Sequence, residues 1–478
     1  MDVERESYPR PVRTGDRFTG LVAATAMGVY LLIIVGATTA ITDAAAACST
    51  WPTCNGQWVV DGSDPDLAIA WGHRLAALLV GVLLLGTGVV AWLGSPSRRV
   101  RAAVTAATLA YPVQVGLGAV TAVDGPTALL SGVHLLLGTA LFGSLALAVA
   151  WLLEAQTATP EDRQPVDDVE RVDDEPSPDP QRPSLPEGPV ARATAYAGAY
   201  FRLMKPRLMW LLCLVAAAGM ALAAGPSLTV ETVVWTLLGG VLSIGASGTF
   251  NHVLERDIDR KMNRTSDRPL ATDVVSVRNA LAFGGLLTVA SLAAFLQVNL
   301  LAAALGLTAI TFYSVVYTLV LKPNTVQNTV IGGAAGALPA VIGWAAVTGS
   351  VGVPGLALAG VIFLWTPAHF YNLALAYKKD YARGGFPMMP VVRGEAVTRK
   401  HIVYYLAATL VSAAVLSAVS DLGLLYALTS AALGGVFLWA VVRLHRERTE
   451  AAAMRSFHAS NAYLGLLLLA VVVDSLAL

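Results

Sequence analysis

The residues with the most chemical potential lie in one segment, Asn251-His-Val-Leu-Glu255-Arg-Asp257-Ile-Asp259-Arg-Lys-Met-Asn-Arg264-Thr-Ser-Asp-Arg268-Pro-Leu, at the end of a long apolar run. Asn251, Glu255 and Asp259 are spaced i, i+4, i+8, so a helix continuing through them presents three oxygen-bearing side chains on one face. Asp257 points elsewhere but completes the acidic group of candidate catalytic residues. Oxygen-only donors beside Arg and Lys suit Mg²⁺ shared with phosphate, because that ion keeps some waters and takes carboxylates plus substrate oxygens. Taken alone, the segment fits a solvated loop of compensating charges equally well. A second polar group, His369, Asn372 and Asp380, ends another apolar run, where polar side chains are costly and mark substrate sites. His369 by itself also fits a satisfied core histidine. Tyr313 to Tyr317, Lys322 and Gln327-Asn328 add a third piece. Together they suit an allylic diphosphate: carboxylate-held metal and cations take the headgroup, and the hydrocarbon tail enters the apolar bundle. Metal and cations would stabilise charge on the departing diphosphate. Trp365, Tyr371 and Tyr313 are candidate faces for the allylic carbocation, or interface anchors.

Long membrane helices must position these groups. Of 478 residues, 55% are hydrophobic and 13% charged, against about a quarter charged in soluble domains. The mean hydropathy is +0.62. This excludes soluble, disordered and secreted classes. Lys+Arg 32 against Asp+Glu 32 gives net charge +0, so nothing points to nucleic acid; the expected surroundings are a lipid bilayer. Apolar runs of about 20 residues recur over Phe18–Ile41, Leu67–Leu93, Val100–Val123 and Ala128–Leu153. After a break they recur over 208–224, 229–250, 279–298, 299–320, 326–348, 353–376, 402–420, 422–442 and 457–476. The expectation is an all-α polytopic membrane protein with about 4 + 9 transmembrane helices. Residues 1–155 form the first domain, 156–195 an acidic, Pro-rich cytoplasmic linker with Asp167-Asp168 and Asp173-Asp174-Glu175, and 196–478 the second. Basic residues fall in alternate loops: Arg5 to Arg17, Arg98 to Arg101, Arg256 to Arg268, Lys322, Lys378 to Lys400 and Arg443 to Arg455. The intervening turns lack them, which puts the N-terminus in the cytoplasm of a multi-pass cell-membrane protein and the C-terminus outside.

At these residues the second block resembles the intramembrane prenyltransferase superfamily, and within it the heme O synthases, or protoheme IX farnesyltransferases. The resemblance covers nearly all of 200–478: Lys205-Pro206-Arg207, the segment Asn251 to Leu270, Ile331 to Pro339 on through Gly343-Trp344 to Gly349, His369 to Asp380, and Phe386-Pro387-Met-Met-Pro390. It implies transfer of a farnesyl group from farnesyl diphosphate to a vinyl group of heme b, giving heme O and diphosphate for terminal oxidases. On the matching positions, Asn251, Glu255, Asp259 and Asp380 would hold Mg²⁺. Lys205, Arg207, Arg264, Arg268, Lys322 and Lys379 would contact diphosphate, and His369 would serve heme. The chain departs from the wider superfamily at His252, where an Asp often stands, and at Gly384, where many relatives carry a second Asp. Fewer carboxylates leave one or two Mg²⁺ ions open.

His73 and His134 lie a few residues into the second and fourth spans from the same expected outer side. Two imidazoles at one depth can clamp a heme plane, or be plain interface histidines. Gly72-His73-Arg74, Gln114-Val-Gly-Leu-Gly118, Val133-His134-Leu135 and the loop from Cys48 to Trp58 resemble one four-helix half of heme A synthase. The first block is thus expected to bind heme. Cys48 and Cys54, in a loop assigned outside, read as a disulfide or redox pair, or as two free thiols. Heme A synthases have two such halves, and here Ala70 stands where an acidic residue is expected before the first histidine. The block is expected to bind heme, to pass heme O onward, or to complete a site with a second copy or with heme A synthase. Rival readings are a bifunctional enzyme that also oxidises heme O, a transporter, and a non-catalytic heme-binding protein. A carrier places its polar groups near the midplane, and a heme-binding protein leaves Glu255, Asp259 and Asp380 without a role.

Overall fold

Thirteen helices among the described residues are long and apolar enough to cross a bilayer, four before residue 160 and nine after it. The computed structural model describes residues 14–41, 44–166 and 186–477, and no strand occurs among them. Arg5, Arg10, Arg13 and the linker acids Asp167 to Glu175 lie outside the described residues. Helices are what lipid demands, since each carries its backbone hydrogen bonds internally.

The described residues divide into two compact units, 14–33 with 44–157, and 34–41 with 158–166 and 186–477. The first unit is built on α1 (Thr14–Ile41) up to Ile33, α2 (Pro65–Leu93), α3 (Arg98–Asp124) and α4 (Ala128–Thr157). The second starts with α5 (Pro189–Leu203), too polar to span, and then α6 (Pro206–Ala224), α7 (Val230–Leu254) and α8 (Val277–Leu296). Next come α9 (Leu300–Thr311), which continues through a wider π turn over Phe312–Leu321, then α10 (Asn328–Thr348) and α11 (Val353–Ala376). The last three are α12 (Glu395–Ala418), α13 (Leu424–Glu447) and α14 (Glu450–Ala477).

Local chemistry sets these ends. Asp64 accepts from the N–H groups of Asp66 and Leu67 ahead of Pro65, and Ser276 and Asn299 cap α8 and α9 in the same way. The α12 and α14 helices begin about two turns before their apolar runs, at Glu395 and Glu450, because charged residues continue a helix past the bilayer. Close packing comes from small residues. A β-carbon at Gly343 would stand 2.1 Å from the Ala216 carbonyl oxygen, and one at Gly219 2.4 Å from that of Ala340, so α6 and α10 touch backbone to backbone.

A short strap follows α4. Glu161–Arg163 forms one helical turn, Val166 N–H donates to the Val391 carbonyl at 2.9 Å, and Asp162 pairs with the buried Arg399 at 2.9 Å. Arg399 also pairs with Glu395, whose carboxylate in turn meets Lys378.

Candidate active site

The α7 helix ends at Leu254 rather than running straight through the acidic segment: Glu255 leaves helical geometry and a single turn, Arg256–Asp259, follows. The hydrogen-bond ladder nevertheless bridges the break, with Glu255 N–H donating to the Asn251 carbonyl at 2.9 Å and Asp259 N–H to that of Glu255 at 2.7 Å. Asn251, Glu255 and Asp259 therefore stay on successive turns, and all three are buried. Asp273 pins the turn by accepting from Arg256 at 2.9 Å and Arg260 at 2.8 Å.

Each oxygen meets a cation from another part of the unit. Lys205, preceding α6, donates to Asn251 Oδ1 and to Tyr313 Oη, the latter at 3.2 Å. Lys322, brought in by the π turn, pairs with Glu255 and stands 4.4 Å from the centre of the Phe386 ring. Arg268 folds back so that its Nη1 reaches both Asp259 oxygens, at 2.8 and 2.7 Å. The second acidic motif joins the same end. Asp380 Oδ2 accepts from the Arg264 N–H at 3.1 Å, and Oδ1 lies 3.3 Å from Arg383. The Arg264 guanidinium lies against Tyr377 and Tyr381, 5.4 and 5.7 Å from the ring centres, and has no carboxylate partner among the described residues.

Three carboxylates, Glu255, Asp259 and Asp380, thus face five cations, Lys205, Arg264, Arg268, Lys322 and Arg383, an excess of positive charge suited to an anion. Burial pushes the Glu255 carboxyl up, but Lys322 and Lys205 outweigh it and hold the group below the usual range. At Asp259 burial prevails over Arg268 and the pKa rises. Burial, with Arg268 nearby, draws the Lys205 ammonium down to about 8 against the pull of Glu255 and Asp259. Among the described residues no three His, Cys, Asp or Glu side chains form a metal-holding group. The donors of the first motif are the Asn251 amide and two carboxylates, an all-oxygen set that fits Mg²⁺ only when diphosphate and water complete the shell.

Other candidates stand apart. Asp257 is exposed and its closest charge is Arg260 at 3.7 Å. Arg207 and Lys379 are exposed and carry no hydrogen bond or ion pair among the described residues. Asn328 serves the start of α10, donating to the Thr325 carbonyl at 2.7 Å. His369 is stacked between Trp365 and Phe457, with ring centres 4.2 and 4.3 Å away, and Nδ1 is 2.7 Å from Ser460 Oγ. Asn372 is buried, donates to the Ala368 carbonyl, and leaves Oδ1 without a partner. At Gly384, one turn after Asp380, a β-carbon would come 3.0 Å from Met262 Sδ.

Three contributors were not singled out in the sequence. Arg383 and Tyr377 belong to the second motif but lie off its acidic pattern. Thr318 donates to the Tyr313 carbonyl five residues back at 2.8 Å and accepts from Asn251 Nδ2 at 3.1 Å. That five-residue reach exists only in a π turn, which hydrophobic periodicity does not reveal.

Behind Lys205 and Tyr313 an apolar cavity, open at one end, runs between α6, α7, α8, α9 and α10. Of the three aromatic candidates only Tyr313 lines it. The UbiA prenyltransferase family matches residues 211–466, more than half of the chain, including the acidic segment, Lys322 and Asp380. The chain belongs to the UbiA prenyltransferase family. A protoheme IX farnesyltransferase of Haloarcula marismortui is 64% identical over 466 residues, 96% of this chain and 99% of its own length. One of Halobacterium salinarum is 62% identical over 468 residues, 97% of this chain and 99% of its own. A solved structure of a digeranylgeranylglyceryl phosphate synthase in membranes covers 59% of this chain and 100% of its own, with TM-score 0.51 and 15% identity, a likeness of fold.

The other unit of this UbiA-family chain holds the paired histidines. His73 and His134 are near enough to interact electrostatically, and each has a buried Nδ1 without a hydrogen-bond partner. Gln114 Nε2 donates to the His134 carbonyl at 3.0 Å, and Gly118 lets the imidazole lie against α3, where a β-carbon would be 3.2 Å from Cε1. Cys48 and Cys54 are joined in a disulfide. Arg74, next to His73, holds that loop by donating to the carbonyls of Cys48, Thr50 and Thr53 at 2.8, 2.6 and 2.8 Å.

Proposed function

We propose that the acidic belt is where farnesyl diphosphate is activated and its farnesyl group passed to a vinyl group of heme b. The chain is a multi-pass membrane prenyltransferase of the protoheme IX farnesyltransferase kind, and the reaction yields heme O and diphosphate. The observation that carries this reading is the meeting of Asp259 and Asp380 motifs at one end of the helices, around an excess of cations, at the mouth of an apolar cavity.

The residues then act as follows. Lys205, Arg264, Arg268 and Lys322 bind the diphosphate oxygens, Arg268 and Lys322 exchanging carboxylate partners for phosphate ones, so their charge is already in place when the bond from oxygen to the allylic carbon breaks. Asn251, Glu255, Asp259 and Asp380 are the oxygens that would hold Mg²⁺. The ion supplies further neutralisation of the leaving group. The apolar cavity takes the chain and excludes water from the allylic cation, and the Tyr313 face beside Lys205 lies where that charge forms. The vinyl group of heme b supplies the electron pair for the new carbon–carbon bond, and a water adds to the cation left on the carbon next to the porphyrin and loses a proton to solvent, giving the hydroxyl of heme O. His369, fixed by Ser460 and two aromatic rings, is a contact for heme. The belt opens to the cytoplasm, in keeping with the basic segments 256–268, 378–400 and 443–455 that share its end. The test is incubation of the purified protein with heme b, farnesyl diphosphate and Mg²⁺, with farnesylated heme read by mass. A folded preparation that forms none overturns the reading.

Residues 1–155 are, on this proposal, a heme-binding domain, with 156–195 as linker and 196–478 as the transferase. Two adjacent imidazoles, each with an unpartnered buried nitrogen, fit heme iron.

A further inference from the structure

The cavity behind the belt has a definite floor. Gly248, Lys205 and Tyr313 line it at the belt end, and Thr236, Phe295 and Ile342 line the other. Its wall on α7, from residue 248 down to 236, is ~18 Å long at the rise of an α-helix. Phe295 is fully buried, and its ring is wedged between two helices that carry no side chain where they meet it. A β-carbon at Gly239 of α7 would lie 2.8 Å from the ring, and one at Gly306 of α9 would lie 2.5 Å from it. One turn earlier on α8, Ser291 Oγ donates to the Gly239 carbonyl at 2.7 Å and locks α8 to α7. The ring is therefore flanked along both of its edges and its stem is tied to the wall. A side chain so confined cannot swing aside for a longer occupant without separating two helices.

We infer that Phe295 is the stop against which the far end of the prenyl chain rests, so that this one ring sets the length of allylic diphosphate the enzyme accepts. The inference rests on the farnesyl-transfer reading of the site. The headgroup is fixed by Lys205 and its neighbours, so the length of chain that fits is the distance from that anchor to the ring. A shorter chain leaves apolar wall uncovered and loses binding; a longer one must push into the ring. Gly240 supplies the converse handle. It lines the same cavity about one turn above the floor, and a β-carbon there meets nothing within 4 Å, so a larger side chain enters the cavity without disturbing a neighbour.

The experiment measures kcat/KM with heme b as acceptor and geranyl, farnesyl or geranylgeranyl diphosphate as donor, for the full chain and for Phe295→Ala, Phe295→Leu and Gly240→Leu. Shortening Phe295 raises the ratio of geranylgeranyl to farnesyl transfer by about tenfold or more, and Gly240→Leu moves preference toward geranyl by a similar factor, the scale by which pockets discriminate apolar length. Phe295→Leu keeps an apolar side chain in the gap, so the test does not depend on whether the alanine variant folds. Phe295 variants that transfer farnesyl with the wild-type ratio overturn the inference and leave the function standing. So does Gly240→Leu with an unchanged geranyl to farnesyl ratio. A wild-type chain that transfers no prenyl group of any length overturns both.

Discussion

At the scale of single residues, the belt separates cations that are committed to a carboxylate, such as Arg268 and Lys322, from those that are not. Arg264 rests on two tyrosine rings with no acidic partner among the described residues. Arg264→Met should therefore raise KM for farnesyl diphosphate about tenfold or more, the worth of a charged hydrogen bond, while the melting temperature in detergent stays within error. Asp259→Asn should behave differently. Asp259 is buried and bidentate with Arg268, so the variant should lose turnover and also stability, by about 3 kcal/mol for a broken buried pair, read by thermal unfolding. An unchanged melting temperature would show that the pair is dispensable to the fold. The i, i+4, i+8 spacing made Asn251, Glu255 and Asp259 legible in the sequence, and Asp257 was legible as pointing away. Lysine and arginine partners were legible as types but not as pairs, because which cation folds back on which carboxylate depends on contacts distant in the chain. His369 is the instructive case: its neighbours in sequence suggested a substrate-facing group, but its Ser460 and Phe457 contacts come from α14.

At the scale of elements, the spans were readable because hydropathy is summed over twenty residues, and small errors at each end cancel. The strap and the π turn were not, since neither has an apolar period. Asp162 shows what the strap does. Burial raises its carboxyl, but Arg399 opposite, with the Thr159 N–H and Arg448, outweighs burial and holds the pKa below the ordinary 3.8. A depressed carboxylate stabilises the folded state above its unfolded pKa, and this contribution is lost as pH falls through the folded value. The strap is thus fully docked at neutral pH. Asp162→Ala should cost about 1–3 kcal/mol, because Arg399 keeps only Glu395, and should speed proteolysis between 158 and 166. Cleavage at the wild-type rate would argue against docking through this pair. The π turn makes a sharper claim. Deleting Val316 should restore ordinary α spacing and rotate Lys322 by about 100° about the helix axis, away from Glu255. Transfer should fall by at least about a hundredfold, and full activity in a folded deletion variant would show that Lys322 needs no such placement.

At the scale of the whole molecule, the two units invite separate measurements. His73→Ala or His134→Ala should abolish the absorption of a low-spin bound heme while transfer of farnesyl continues at the second unit; an unaltered spectrum would reject these imidazoles as ligands. Composition marks a Pro and acid-rich break between the two blocks of apolar runs, but how His73 and His134 are set within the first unit depends on geometry that spacing alone does not supply. One further consequence concerns electricity. Every charged group of the belt sits at the same end of the helices, and the cavity behind it is apolar, so on the proposed reaction diphosphate would arrive and depart by one door with no ion carried through the bilayer. Moving an elementary charge across the membrane is worth about 2.3 kcal/mol per 100 mV, and this reaction moves none. Proteoliposomes clamped at opposite potentials should make product at equal rates, and a voltage-dependent rate would mean that the leaving group exits on the far side.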